Sequence, residues 1–211
     1  YFVKSGRYTA GVATHYAATT MLTAAATHQA LAPGYTIGMR FHSAPVVRLA
    51  DARPVQLGHA ARADGAWRLY AFADASGKRF RELAAFLAES PRSPIRRFTP
   101  SAADIDSVID VRAVFQQPHR ELTVDELPSI LLPRKGSFGL IDYEKAYCPD
   151  LKNGADIFDL RGIDRAQGAI VVVRPDQYVS NVLPLDAKDE LAAFFGRFLL
   201  DRGSIDKETP P

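Results

Sequence analysis

The 211-residue chain contains one cysteine, Cys148, and no internal disulfide can close on it. That excludes the stapled frameworks of small secreted domains and fits a reducing, cytoplasmic setting. No apolar run approaches the roughly 18 residues that a membrane-spanning helix needs. The N-terminal stretch carries Lys4 and Arg7 but lacks the apolar core and small-residue cleavage site of a signal peptide. A strong charge of either sign is missing as well. Against 24 acidic groups stand 26 Lys and Arg, for a net charge of +2. Neither a nucleic acid nor a membrane is therefore expected as a partner.

Sequence signatures of chemistry are equally scarce. There is no G-x-G-x-x-G fingerprint or G-x-x-x-x-G-K-[ST] loop to cradle phosphates, and no G-x-S-x-G elbow to present a serine. The histidines His15, His28, His42, His59 and His119 are scattered, without the paired spacing of a zinc site. Gly136 and Gly139 alone make no phosphate loop. Arg92, Arg96, Arg97 and Phe98 form a small basic group with an aromatic, which reads as a solvated linker rather than an RNA surface. No catalytic, cofactor-binding or metal-ligating residue is assigned.

What is present is an ordinary globular composition, 47% hydrophobic and 24% charged. Residues 1–45, rich in Ala, Thr, Gly and Tyr, read as an extended connecting segment; 46–203 read as the folded domain and 204–211 as a tail. The runs VVRLAD, VQLGHA and WRLYAFAD look like strands, with Asp64-Gly65 as a hairpin turn between the last two. After Ser76, the residues Phe80, Leu83, Ala84 and Leu87 fall on one face of a helix that stops before Pro91. The prolines of Pro91–Pro100 predict a linker. Ile105–Phe115 alternates as a strand, and Gln116–Asn153 reads as a long irregular excursion. Val171–Val173 predicts a strand covered on both faces, turned back at Arg174-Pro175-Asp176-Gln177 into the more edge-like YVSNVL. Asp186 is expected to cap a final helix with the apolar stripe Leu191, Phe194, Phe195, Phe198 and Leu199, ending near Gly203.

The order strand, helix, strand, excursion, hairpin, helix fits an α/β thioredoxin-like fold, a mixed sheet flanked by helices. Enzymes of that fold carry a redox pair after the first core strand, at a helix N-terminus that stabilises a thiolate. Here that position reads ADASGKRF, Ala73 to Phe80, without cysteine. The fold's proline before the third core strand is also absent, since DRAQGA precedes Ile170 and Pro175 lies at the strand's far end. Cys148, three residues from Lys145, is the remaining redox candidate, but IDYEKAYC lacks the proline and hydroxyl offsets of a peroxidase cysteine. A buried apolar role suits it better.

RGIDRAQGAIVVVRPDQYVSNVLPLDA, VKSGRYTAGVATHY and IDYEKAYCPD together resemble the carboxy-terminal portion of flavin-dependent aromatic hydroxylases of the phenol 2-monooxygenase and 3-hydroxybenzoate 4-hydroxylase group. The resemblance implies a parent enzyme that uses FAD and NADPH to hydroxylate a phenolic substrate. It further implies that this part is a non-redox thioredoxin-like scaffold binding neither cofactor by itself, packed on upstream flavin and substrate domains and contributing to a homodimer. The opening on Tyr1, with only Met21 and Met39 as methionines, accords with a piece of something longer. Two other readings remain open: a free-standing oxidoreductase using Cys148, and an independent protein-binding module.

Overall fold

Alternation along the strands builds the domain. In the computed structural model, which describes residues 2–17, 22–154 and 156–201, the chain forms α1 (Phe2–Thr9), β1 (Pro45–Arg48), β2 (Arg53–Gln56), β3 (Trp67–Phe72), α2 (Lys78–Glu89), α3 (Pro94–Phe98), β4 (Ile109–Val114), β5 (Arg134–Lys135), β6 (Leu140–Ile141), β7 (Ala146–Pro149), α4 (Ile157–Arg161), β8 (Ala169–Val173), β9 (Val179–Leu183) and α5 (Lys188–Phe195). A seven-stranded sheet runs β2-β1-β7-β4-β3-β8-β9, with β5 and β6 as a separate hairpin. β4 lies parallel to β3, β8 antiparallel to β3, and β9 antiparallel to β8. This β-α-β unit followed by β-β-α is the expected thioredoxin-like arrangement.

Successive residues of a strand face opposite sides of a sheet. On one side Leu69 and Ala71 of β3, Ile109, Val111 and Ala113 of β4, and Ile170 and Val172 of β8 meet Phe80, Leu83 and Leu87 of α2 and Leu191, Phe194 and Phe195 of α5. On the other side Tyr70, Phe72, Val171 and Val173 meet Ile157 and Phe158 of α4 and the stretch from Leu31 to Phe41. Each large side chain so buried contributes roughly 1.5–3 kcal/mol, and both faces of the central strands are covered.

Several expectations need correction. Asp64-Gly65 turns the chain, with Asp64 accepting from the Ala66 amide at 3.0 Å, but β2 pairs with β1 and not with β3, so the hairpin lies one unit earlier. The predicted linker contains α3, because Pro94 sits at the first helical position, where its missing N–H is no loss. Ile95 and Phe98 are buried under it. The excursion contains β7, a strand inserted between β1 and β4. Asp186 does not cap α5 with its side chain; Ala187 is the residue at that end, and the helix closes at Gly196. Gly203 and the tail 204–211 lie outside the described residues.

β9 ends the sheet order, yet all five of its residues are buried. The 1–45 segment accounts for this. The amides of Ala24 and Gly38 donate to Ser180 and Val179 carbonyls, the Val179 amide donates to Met39 (each 2.8 Å), and Arg40 bridges Tyr178. The chain thus covers its own open edge.

Candidate functional site

The position where thioredoxin-like enzymes keep their redox pair is closed here by the chain's own hydrogen bonds. β3 delivers Asp74 to the start of α2. One carboxylate oxygen accepts from the Phe80 amide at 3.0 Å and the other from the Ser76 hydroxyl at 2.5 Å. Burial alone would raise the pKa of Asp74, but these donors outweigh it and hold the carboxyl below its usual range. The Gln116 side chain donates to the carbonyls of Ala73 and Arg165, both at 2.8 Å. Gly168 fills the place of the missing proline at φ +69°, and a Cβ there would lie 2.4 Å from the Phe72 carbonyl oxygen. Asp74 thereby occupies the Phe80 amide that an anion at this helix end would use.

Cys148 sits within β7 with Leu49 and Ala146 around it. Burial pushes its thiol up to about 12, so it is not a thiolate near neutrality. Lys145, three residues away in sequence, is engaged elsewhere.

That engagement belongs to a buried ion cluster that the sequence reading did not single out. Arg68 of β3 stands in register with Asp110 of β4, and Tyr70 with Arg112. The face that carries Phe72 and Val114 at one end of these strands therefore carries charge at the other. Asp110 accepts from Arg112 Nε at 2.8 Å and Lys145 Nζ at 2.6 Å, and Arg68 Nε lies 3.0 Å away as an ion pair without a hydrogen bond. Lys145 also donates to Asp106 and lies 3.4 Å from Asp142. Arg112 reaches the Tyr147 hydroxyl at 2.8 Å, and that hydroxyl donates to the Glu144 carbonyl at 2.7 Å. Burial alone would lower the pKa of Lys145; Asp110 and Asp106 outweigh it and raise the value. The alternation Asp110, Arg112 within a strand was the available signal, and it reads equally well as a solvated face.

The cluster floors an open cleft of about 860 Å3 and tethers the β5–β6 hairpin over it. Lys135 pairs with Asp106 at 2.9 Å, and the Gly136 amide donates to Asp104 at 2.9 Å. The hairpin holds Phe138 88% exposed and Leu140 70% exposed, with Tyr143 also in solvent. These apolar side chains are thus held out in solvent by a turn anchored at Asp106 and Asp104.

Of the other residues weighed from the sequence, His42 and His59 line one small cavity, and the rest lie apart. His15 lies 2.9 Å from the Ile37 carbonyl and His28 3.3 Å from Glu190, while His119 stands in a short 3-10 turn. Among the described residues no group of three His, Cys, Asp or Glu could hold a metal ion, and no helix is long and apolar enough to cross a membrane. Arg92 pairs with Asp189 and Arg97 with Asp201, tying α3 to the C-terminal part of the domain. Arg96 donates to the Ala88 carbonyl, and Phe98 is core. Gly136 and Gly139 shape the hairpin turn at positive φ.

Comparison with known proteins adds context to this geometry. The chain is 58% identical over 205 residues to a 3-hydroxybenzoate 4-monooxygenase of Comamonas testosteroni, a match covering 94% of this chain and 32% of that protein. It is 34% identical over 210 residues to the FAD-dependent monooxygenase terD of Aspergillus terreus, covering 96% and 34%. It therefore spans about a third of the length of these curated relatives. Among solved structures, a putative protein disulfide isomerase from Bacteroides thetaiotaomicron superposes over 81% of this chain and 93% of that one, with a TM-score of 0.46 and 10% identity; nothing further rests on that likeness. Residues 12–203 match the family described as the phenol hydroxylase C-terminal dimerisation domain, and the chain belongs to that family.

Proposed function

We propose that this chain is the carboxy-terminal scaffold of an FAD- and NADPH-dependent monooxygenase that hydroxylates a phenolic compound in the cytoplasm. Residues 46–203 form its thioredoxin-like domain, 1–45 connect it to upstream flavin and substrate domains, and 204–211 trail behind. Its role is to hold two subunits together, not to take part in flavin chemistry. The observation that carries this reading is the family match over residues 12–203; the closed Asp74 position and the anchored, solvent-facing Phe138 and Leu140 support it.

The test is the mass of the natural polypeptide, recorded with its visible spectrum, followed by removal of this domain. The expected result is a flavin-coloured protein about three times the length of this chain, whose subunits separate on sedimentation once residues corresponding to 46–203 are deleted. A colourless protein of 211 residues, or a parent that stays dimeric without the domain, overturns the reading.

A further inference from the structure

A second cavity, of about 260 Å3, lies across Arg62 from the cleft, since Arg62 lines both. Its wall carries Arg40, His42, His59, Arg62, Arg68 and Arg174, and none of its lining residues is acidic. Two of these cations are neutralised from behind. Arg68 holds Asp64 at 2.8 Å and Asp110 at 3.0 Å. Arg174 holds Asp176 at 2.5 Å and is fixed over the rings of Tyr16 and Tyr178 at 4.8 and 5.7 Å. The other two are not. Arg40 donates to the neutral Gln177 side chain at 3.2 Å, and neither Arg40 nor Arg62 pairs with a carboxylate among the described residues.

The floor is rigid and apolar. Phe41 stacks on Tyr70 with ring centroids 4.5 Å apart and planes 7° from parallel, and Val173 completes it. The Gly58 amide donates to the Ser43 hydroxyl at 2.9 Å, holding one wall against the other. Four guanidiniums and no carboxylate line this space, and burial, then Arg161 and Arg7 outside the lining, lower the pKa of His42. An anion would relieve the repulsion, and guanidinium groups suit planar or tetrahedral oxyanions. Size narrows the choice, because pockets for drug-sized ligands run from about 300 to 1,000 Å3, so a nucleotide is too large.

We propose that this pocket binds a small oxyanion, a phosphate or a short carboxylate, seated between Arg40 and Arg62 above the stacked rings of Phe41 and Tyr70. The proposal goes beyond the subunit-contact reading, and its readout is anion binding. The 211-residue chain is titrated with inorganic phosphate and, separately, with acetate, with ionic strength held constant by chloride. Binding is followed by calorimetry and by the ring resonances of His42. A saturable shift is expected with at least one of the two anions, and their relative affinities identify the source. Arg40→Gln and Arg62→Gln each weaken binding about tenfold, as loss of a charge-assisted hydrogen bond does, while the melting temperature and the Arg92→Gln control stay unchanged. A shift that chloride reproduces, or an affinity the same in both arginine variants as in the parent sequence, overturns the proposal and leaves general surface attraction in its place.

Discussion

Lys145 donates to Asp110 at 2.6 Å although the two side chains are only 2% and 5% exposed. Their neighbours explain how such a pair persists. Asp106 and Asp142 share the ammonium, and Arg68 and Arg112 share the carboxylate, so every charge taken from water meets another. Removing one partner strands the rest. Lys145→Met is expected to lower unfolding free energy in urea by about 3–5 kcal/mol, the usual cost of orphaning a buried charge. The exposed Arg92–Asp189 pair is the control, and Arg92→Ala should change stability by less than about 1 kcal/mol. Equal effects would refute the distinction.

The same cluster sets an acid limit. Burial alone would raise the pKa values of Asp106 and Asp142. The Lys145 and Lys135 ammonium groups around both, together with the Glu144 amide at Asp142, hold them below the ordinary carboxylate range instead. A group depressed on folding contributes stability that is present above its unfolded pKa of about 3.9 and is lost as pH falls through the folded value. Thermal melts should therefore be flat near neutrality and drop below about pH 4. Asp106→Asn should lower the plateau and make the acid drop shallower. An acid limb of unchanged steepness would place the linkage elsewhere.

Sequence patterns exposed the frame of the fold and hid its third dimension. β3, α2, β4, β8, β9 and α5 were legible because Leu69, Phe80, Val111, Val172 and Phe194 repeat at strand or helix spacing around a core. β7 was not, because its four residues follow the charged Glu144 and Lys145 and end in Pro149. The charge of Lys145 is met by Asp110 and Asp106, which are distant in sequence. The cover over β9 was equally hidden, since it is made by backbone amides of Ala24 and Gly38 that leave no side-chain signature. The empty redox position was visible as a missing cysteine, but its closure by Asp74 and Gln116 needed coordinates.

Gly168 tests that closure. At φ +69° an added Cβ would lie 2.4 Å from the Phe72 carbonyl oxygen and 2.9 Å from the Asp74 amide, both backbone atoms. Gly139 shares the left-handed conformation at φ +59°, with nothing within 4 Å. Gly139→Ala should then cost about 1–2 kcal/mol, from the conformation alone. Gly168→Ala should cost more, because the sheet must also move. Thermal or urea denaturation of the two variants decides it, and equal losses would show that the approach to Phe72 is unimportant.

Cys148 should behave as a buried methyl-sized group. With its thiol pushed up to about 12 by burial, it should resist an aromatic disulfide reagent at pH 8 in native protein and react once unfolded in urea. Cys148→Ala should preserve the fold at a cost of about 1 kcal/mol, typical of a small core truncation. Stoichiometric labelling of the native protein within minutes would revive the oxidoreductase reading.

The anchored hairpin offers the sharpest separation between folding and association. Phe138 and Leu140 stand in solvent, while Lys135 and Gly136 beneath them are held by Asp106 and Asp104. Replacing the two apolar side chains removes no core contact, so Phe138→Ser with Leu140→Ser should leave the melting temperature unchanged. If a second copy of the chain docks on this turn, the same change should weaken self-association by at least about 2 kcal/mol, the scale of an interfacial hot spot. Sedimentation over a concentration series measures this directly. A dimer of undiminished strength would move the contact to another face, whereas a lowered melting temperature would mean that the hairpin supports the fold.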